Sequence, residues 1–404
     1  MSLWKIVLKN IVQRKLSSTL TSASIGLGVA VVVAILALRA QTRERFEQSA
    51  FGYELVVGPK QLGALQLVLN TVYHMETSPG NIPWSRYKEL AAHKAVSAAI
   101  PVSVGDSYGG ARVVGTTPAF FDAFTYPIDG RPFRFDPARL EQAMAGKEAE
   151  GAFEAVIGSS AAARTGLHRG DTFQPSHGVD AVGDTHAEKW TVVGILQPTG
   201  TPNDRAIFIN LDSFYEIKDH RQTSGISAVI VKTKGGSSAD RLQYDLNQLP
   251  DVMAAAPARV MAEFFSKFDW IPLMFLAVAS LVVIMAAVSI FVAIYNSMSE
   301  RRRAIAIMRA LGARRGTVLS IVMMEAAALC AFGAVGGIVL GHAITAAAGA
   351  FLSSRSGVPL SALAFQPEEL VVAAGVLVLG ALAGILPALK AYRTDIADGL
   401  SPSS

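Results

Sequence analysis

The 404-residue chain contains a single cysteine, Cys330. One thiol excludes an intrachain disulfide framework and any cluster of cysteine metal ligands. It lies in an apolar run, where a free cysteine acts as a small buried hydrophobe. Charge is scarce as well: Asp, Glu, Lys and Arg make up 17% of the chain, against about 25% in an ordinary soluble domain. Hydrophobic residues reach 51% and the mean hydropathy is +0.37, which excludes disorder, since disordered chains are poor in apolar residues and rich in charge. No G-x-x-x-x-G-K-[ST] loop is present to cradle ATP phosphates, and no H-E-x-x-H pair to bind a catalytic zinc. The sequence assigns no nucleophile–base pair and no catalytic residue.

What the chain does have is long uncharged apolar runs at both ends, around a middle of soluble composition. A helix needs about 20 apolar residues to cross the hydrocarbon core. Four segments qualify: 20–38, 271–294, 318–347 and 370–389. The third is too long for one untilted span, so one end is expected to project into water. A cleaved signal peptide at the first run would need a small-x-small site after it, but this run exits into Leu38-Arg39-Ala40-Gln41. Residues 1–19 place Leu3, Trp4, Val7, Leu8, Ile11 and Val12 at helical spacing, which reads as an interfacial amphipathic helix.

Four spans put both termini on one side, with the 295–317 loop. Residues 1–19, 295–317 and 390–404 together hold 12 Lys/Arg against 3 Asp/Glu. The other short loop, 348–369, has Arg355 against Glu368 and Glu369. By the positive-inside rule the basic segments are cytoplasmic, and 39–270 faces outward. The sequence pI of about 9.1 is then a topology signal. It is no nucleic-acid footprint, because aromatics that could stack bases do not interleave the basic residues.

Short Val/Ile-rich runs bounded by turn residues predict strands at 54–57, 111–114, 155–157, 190–196, 206–209 and 228–232. Helical patterns alternate with them at 85–93, 118–124 and 239–249. The fold expected is therefore α-helical in the membrane, with four transmembrane helices, plus an α+β extracytoplasmic domain. Segments 39–51 and 259–270 read as stalk helices, and 136–151 as an exposed insertion. The apolar run 61–73 is too short to span; it reads as a buried helix of the domain, or as an exposed surface for a hydrophobic cargo or second subunit.

Three of the seven histidines fall within 168–186. In that stretch His177, Asp180, Asp184 and His186 form a candidate metal set, with His168 and Glu188 nearby; imidazole and carboxylate are competent zinc ligands. The competing reading of 168–188 is a solvated hairpin loop rich in turn formers. In the membrane part, Gly333, Gly337 and Gly341 make a doubled small-xxx-small pattern, and Gly380 with Gly384 repeats it once. Both patterns predict close helix packing. Between the second and third spans, Ile305, Met308 and Leu311 form an apolar stripe, Arg302, Arg303 and Arg309 lie on other faces, and Gly312 supplies a stop. Such a helix can dock into a groove on a soluble partner, or anchor on anionic lipid.

The segment 300–341, ERRRAIAIMRALGARRGTVLSIVMMEAAALCAFGAVGGIVLG, resembles the signature of FtsX-type permeases, the family of the MacB exporters and the lipoprotein-releasing permeases. The ending GILPALKAYRTDIADGL (384–400) is similar to that family's close, and stretches of the outward domain look like its MacB-like periplasmic domain. Ala304 departs from a usual glutamate, which puts one partner salt bridge in doubt. The resemblance implies a permease subunit of an ABC transporter in a bacterial inner membrane, working by mechanotransmission for export or extraction of a substrate. It implies a separate ATPase subunit carrying ATP and Mg, contacted by Glu300, Arg301, Arg302, Arg303, Ile305, Met308, Arg309, Leu311 and Gly312. It also implies a second permease copy, as homodimer or heterodimer, and a periplasmic adaptor or binding protein. Alternatives are a regulatory subunit that acts on a periplasmic partner without transport, and a membrane receptor that binds metal or peptide.

Overall fold

Most strands of this chain are apolar at odd and even positions alike, and the reason is a sheet covered on both faces. The computed structural model describes residues 3–50, 52–75, 80–145, 147, 151–178, 185–217, 220, 225–235, 237–268, 270–300, 307, 312–356 and 364–393. Two units separate: one comprises Arg43–Lys267 with Leu352–Pro359, the other Met1–Thr42, Phe268–Phe351 and Leu360–Ser404.

In the first unit the strands run across the sheet in the order 252–255, 55–59, 228–233, 96–108, 111–116, 207–210, 154–157, 190–196 and 128–130. Pairings are antiparallel except 207–210 with 111–116 and 154–157 with 190–196, which are parallel. Alternate residues go to opposite faces. Leu55, Val57, Ile207, Ile209, Val229 and Val231 enter one core, while Val56, Phe208, Ala228 and Ile230 enter the other. The run 61–73 is a short 3-10 turn, Lys60–Leu62, and a helix, Ala64–Thr71, with Leu67 and Val68 fully buried. The buried-helix reading holds and the exposed-surface reading does not.

Two expectations need correction. The strand Val96–Tyr108 spans 13 residues that the sequence reading left unassigned, because Pro101 and Gly105 look like boundaries. The segment 136–151 is no exposed insertion throughout: Asp136 caps a helix Pro137–Met144 whose Leu140 and Ala143 are buried. Its Arg139 reaches the buried Asp212 at 3.3 Å and Glu216 at 2.9 Å.

On the other flank, Arg131 grips the buried Glu154 with two bonds of 2.8 and 2.6 Å, and the Arg134 amide donates a third at 2.8 Å. The Arg131 guanidinium, ahead of the opposing effect of burial, holds the Glu154 carboxyl below its ordinary value. A lowered folded pKa gives stability that is complete above the unfolded value of about 4.3 and is lost as pH falls through the folded one. A Glu154→Gln chain will therefore lose less thermal stability than wild type below about pH 4.3, as melts across an acid series will read.

The second unit is helical. Among the described residues three helices are long and apolar enough to cross a membrane: Lys15–Gln41, Gly316–Gly349 and Pro367–Ile385. Trp270–Glu300 is a further continuous helix of 31 residues. The helix Leu3–Gln13, read as an interfacial amphipathic helix, buries Val7 against Ile321 and Ala328 and leaves Trp4 and Val12 exposed. The glycines sit at the helix crossings. A Cβ on Gly333 would stand 2.7 Å from Ile25, one on Gly337 2.6 Å from the Gly26 carbonyl, and one on Gly341 2.8 Å from Val33. Gly380 faces Cys330 and Gly384 faces Ala326. The Ser22 hydroxyl donates to the Leu329 carbonyl at 3.3 Å across the same contact.

Candidate functional site

The strand Val96–Tyr108 changes partners along its length. Its first half pairs with 228–233 and its second half, on the same edge, with the two-residue strand Ser176–His177. A register shift between Val104 and Asp106 marks a bulge at Gly105, and a bulge re-aims the side chain that follows it. That side chain is Asp106, which is fully buried and lies opposite His177 across the strand pair.

Three imidazoles converge on it. His177 Nδ1 lies 3.4 Å from Asp106 Oδ1, His186 Nε2 3.3 Å and His220 Nε2 3.5 Å. The three rings stand 5.1–5.2 Å apart by centroids. His186 is carried by the return of the hairpin, with its amide donating to the Pro175 carbonyl at 3.0 Å and a bridge between Ser176 and Thr185. His220 follows the helix Leu211–Phe214; its ring packs at a tilt against Phe214, centroids 4.3 Å apart, and its Nδ1 lies 3.0 Å from the Phe214 carbonyl. His186 and His220 are buried, and the His177 side chain is 52% exposed.

The structure thus brings together two of the four residues the sequence singled out, His177 and His186. Asp180 and Asp184 lie outside the described residues. His168 is 84% exposed and faces Asp171, away from the cluster. Asp106 and His220 were missed because they are distant in sequence from the hairpin. The legible trace is a lone carboxylate inside an otherwise uncharged strand, residues 96–108.

Ser107, Ser176 and Thr185, each one residue from a cluster member, line a cavity of about 560 Å³ with Tyr108, Phe173 and Lys189. Gly105-Asp-Ser-Tyr-Gly109 has the spacing of a nucleophile elbow. That motif requires a strand-to-helix turn, whereas Ser107 sits in a strand that turns at Gly109–Gly110 into another strand, so it is no elbow.

Of the residues expected to meet an ATPase, Arg301–Ile305, Met308, Arg309 and Leu311 lie outside the described residues. Glu300 ends the helix Trp270–Glu300, and Gly312 adopts a φ of +96° just before the helix Arg315–Ser356 begins. A glycine takes this positive φ at no steric cost, which lets the chain turn into the helix that follows.

Residues 18–249 match the family model of the MacB-like periplasmic core domain, and residues 276–396 match the FtsX-like permease C-terminal. Over 389 residues the chain is 24% identical to the uncharacterized ABC transporter permease MJ1507 of Methanocaldococcus jannaschii, which covers 94% of this chain and 91% of that one. It is 31% identical over 127 residues to the uncharacterized ABC transporter permease YknZ of Bacillus subtilis, covering 31% and 30%. Among solved structures, the periplasmic region of MacB from Actinobacillus actinomycetemcomitans aligns at a TM-score of 0.35 and 13% identity, covering 53% of this chain and 94% of that one. The core-domain match alone spans more than half of the chain, which belongs to the FtsX/MacB-type family of ABC transporter permeases.

Proposed function

We propose that this permease works by mechanotransmission in a bacterial inner membrane. Four spans, with 271–294 as the second, keep both termini and residues 295–317 in the cytoplasm, and the 43–267 unit outside. A separate ATPase subunit binds ATP and Mg and docks on the 300–316 loop. Its closure moves the spans, which move the outer domain to export or extract a substrate. A second permease copy completes the complex, and a periplasmic adaptor or binding protein can receive the cargo.

The observation that carries this reading is the loop within the FtsX-like match. It places six arginines and the stripe Ile305, Met308 and Leu311 between two long helices. The charge asymmetry supports its side: 12 basic against 3 acidic residues in the termini and this loop.

Co-expression with the ATPase encoded beside its gene is the test. The wild-type chain will co-purify with that ATPase and change its hydrolysis rate. An Ile305→Asp/Met308→Asp chain will insert normally and lose both effects. If the double variant binds and stimulates as wild type does, the docking surface lies elsewhere. Failure of the wild-type chain to hold any ATPase would favour a receptor.

A further inference from the structure

We propose that Asp106, His177, His186 and His220 form a tetrahedral zinc site in the outer domain, closed by four protein ligands. The donor atoms, three imidazole nitrogens and one carboxylate oxygen, all lie within 4.8 Å of one another. Zinc takes nitrogen and oxygen ligands at about 2.0–2.1 Å, so the edges of its tetrahedron are about 3.3–3.4 Å. Four of the six donor–donor separations here are 3.4, 3.3, 3.5 and 3.3 Å. These four separations match the edges of a zinc tetrahedron, and the other two lie within 4.8 Å.

Hydrogen bonding points the same way. The Phe214 carbonyl can only accept, so His220 Nδ1 carries the ring proton and a neutral His220 turns the lone pair of Nε2 toward Asp106. A ring fixed in this way by a backbone carbonyl is the usual outer support of a metal-binding histidine. Both carboxylate oxygens of Asp106 are buried and without a hydrogen-bond partner among the described residues. Lone pairs that face one another in a buried space are repulsive until a cation lies between them. Four-coordinate tetrahedral spacing suits zinc; copper(II) and nickel(II) prefer square-planar arrangements, and magnesium or calcium an octahedral shell of oxygens.

With all four positions filled by protein, the ion is structural and resident rather than catalytic. It would join the strand Val96–Tyr108, the hairpin that carries His177 and His186, and the segment after the helix Leu211–Phe214. The exposed ring of His177 offers the way in.

The full-length chain in detergent, stripped with chelator and dialysed, is the material for the test. Zinc content is read by mass spectrometry and affinity by competition with a zinc indicator. Wild type will bind one zinc per chain and gain thermal stability on binding. Removing a ligand costs at least what removing an outer support does, so His177→Ala and His220→Ala will each weaken binding by about 100-fold or more. His168→Ala and Glu188→Gln, outside the cluster, will bind as wild type. Cobalt(II) in place of zinc will give the intense visible bands of a tetrahedral site. Since His177 is half exposed, its alanine variant keeps the metal-free melting temperature, which separates a lost ligand from a lost fold. Zinc-free wild-type protein, equal binding by His177→Ala, or the weak bands of octahedral cobalt would each overturn the assignment.

Discussion

A Gly337→Ile chain will lose the packing of its membrane helices. A Cβ at Gly337 stands 2.6 Å from the Gly26 carbonyl oxygen and 2.6 Å from Val29 Cβ. The first neighbour is helix backbone, which cannot turn aside as a side-chain end could. Overpacked cores usually lose about 1–3 kcal/mol; a backbone clash in a dense contact belongs at the upper end or beyond, about 3 kcal/mol or more. Gly336 provides the control, since nothing lies within 4 Å of a Cβ there. Its alanine variant will be neutral or gain slightly in helix propensity. Cys330 is fully buried in the same cluster of helices and is the chain's single thiol. Its rate of maleimide labelling in detergent therefore reports the packing. Labelling will be fast in Gly337→Ile and slow in wild type and Gly336→Ala; equal rates in all three would contradict the glycine contact.

In the outer domain the largest single loss is expected at Phe208. The ring is fully buried on the inner strand Ile207–Asn210. It packs at 4.8 Å from Phe120, 5.7 Å from Phe121 and 6.2 Å from His74, measured between ring centroids. Truncating a buried phenylalanine to alanine costs about 3–5 kcal/mol, as lost transfer energy and an unfilled cavity. Close ring pairs add to that loss. Phe208→Ala will lower the domain's unfolding free energy by that amount, read as a fall in the denaturant midpoint at unchanged slope, whereas Tyr244→Ala, 66% exposed, will leave it unchanged. A Phe208→Ala transition coincident with wild type would show that the two sheet faces are not separately packed as described.

Local patterns in the sequence carried much of this architecture. The strand Trp190–Leu196 falls on the residues expected, and the helices Trp84–Ala91, Ala119–Phe124 and Ser238–Asn247 fall within a residue or two of them. These segments announce themselves through apolar runs and turn residues, which act over a few positions. What local patterns could not supply was pairing at a distance. Val96–Tyr108 hid behind Pro101 and Gly105, yet the proline is tolerated opposite Val229 and the glycine makes the bulge that turns Asp106 inward. The histidine cluster was half legible for the same reason. His177 and His186 are neighbours in a hairpin, while Asp106 and His220 reach them only after the sheet has formed. Helix Leu3–Gln13 shows a third limit: an amphipathic face tells that something apolar covers it, and sequence alone does not say that the helix bearing Ile321 and Ala328 covers Val7.

The central claim is that residues 300–316 and the 43–267 unit lie on opposite sides of one membrane, with the motor acting on the first and the work done by the second. Single-cysteine chains test this most directly. In a Cys330→Ala background, Met308→Cys and Tyr244→Cys are exposed to a membrane-impermeant maleimide on intact spheroplasts. The account predicts that the Tyr244→Cys chain is labelled at once and the Met308→Cys chain only after lysis. Labelling of the Met308→Cys chain on intact spheroplasts would contradict it.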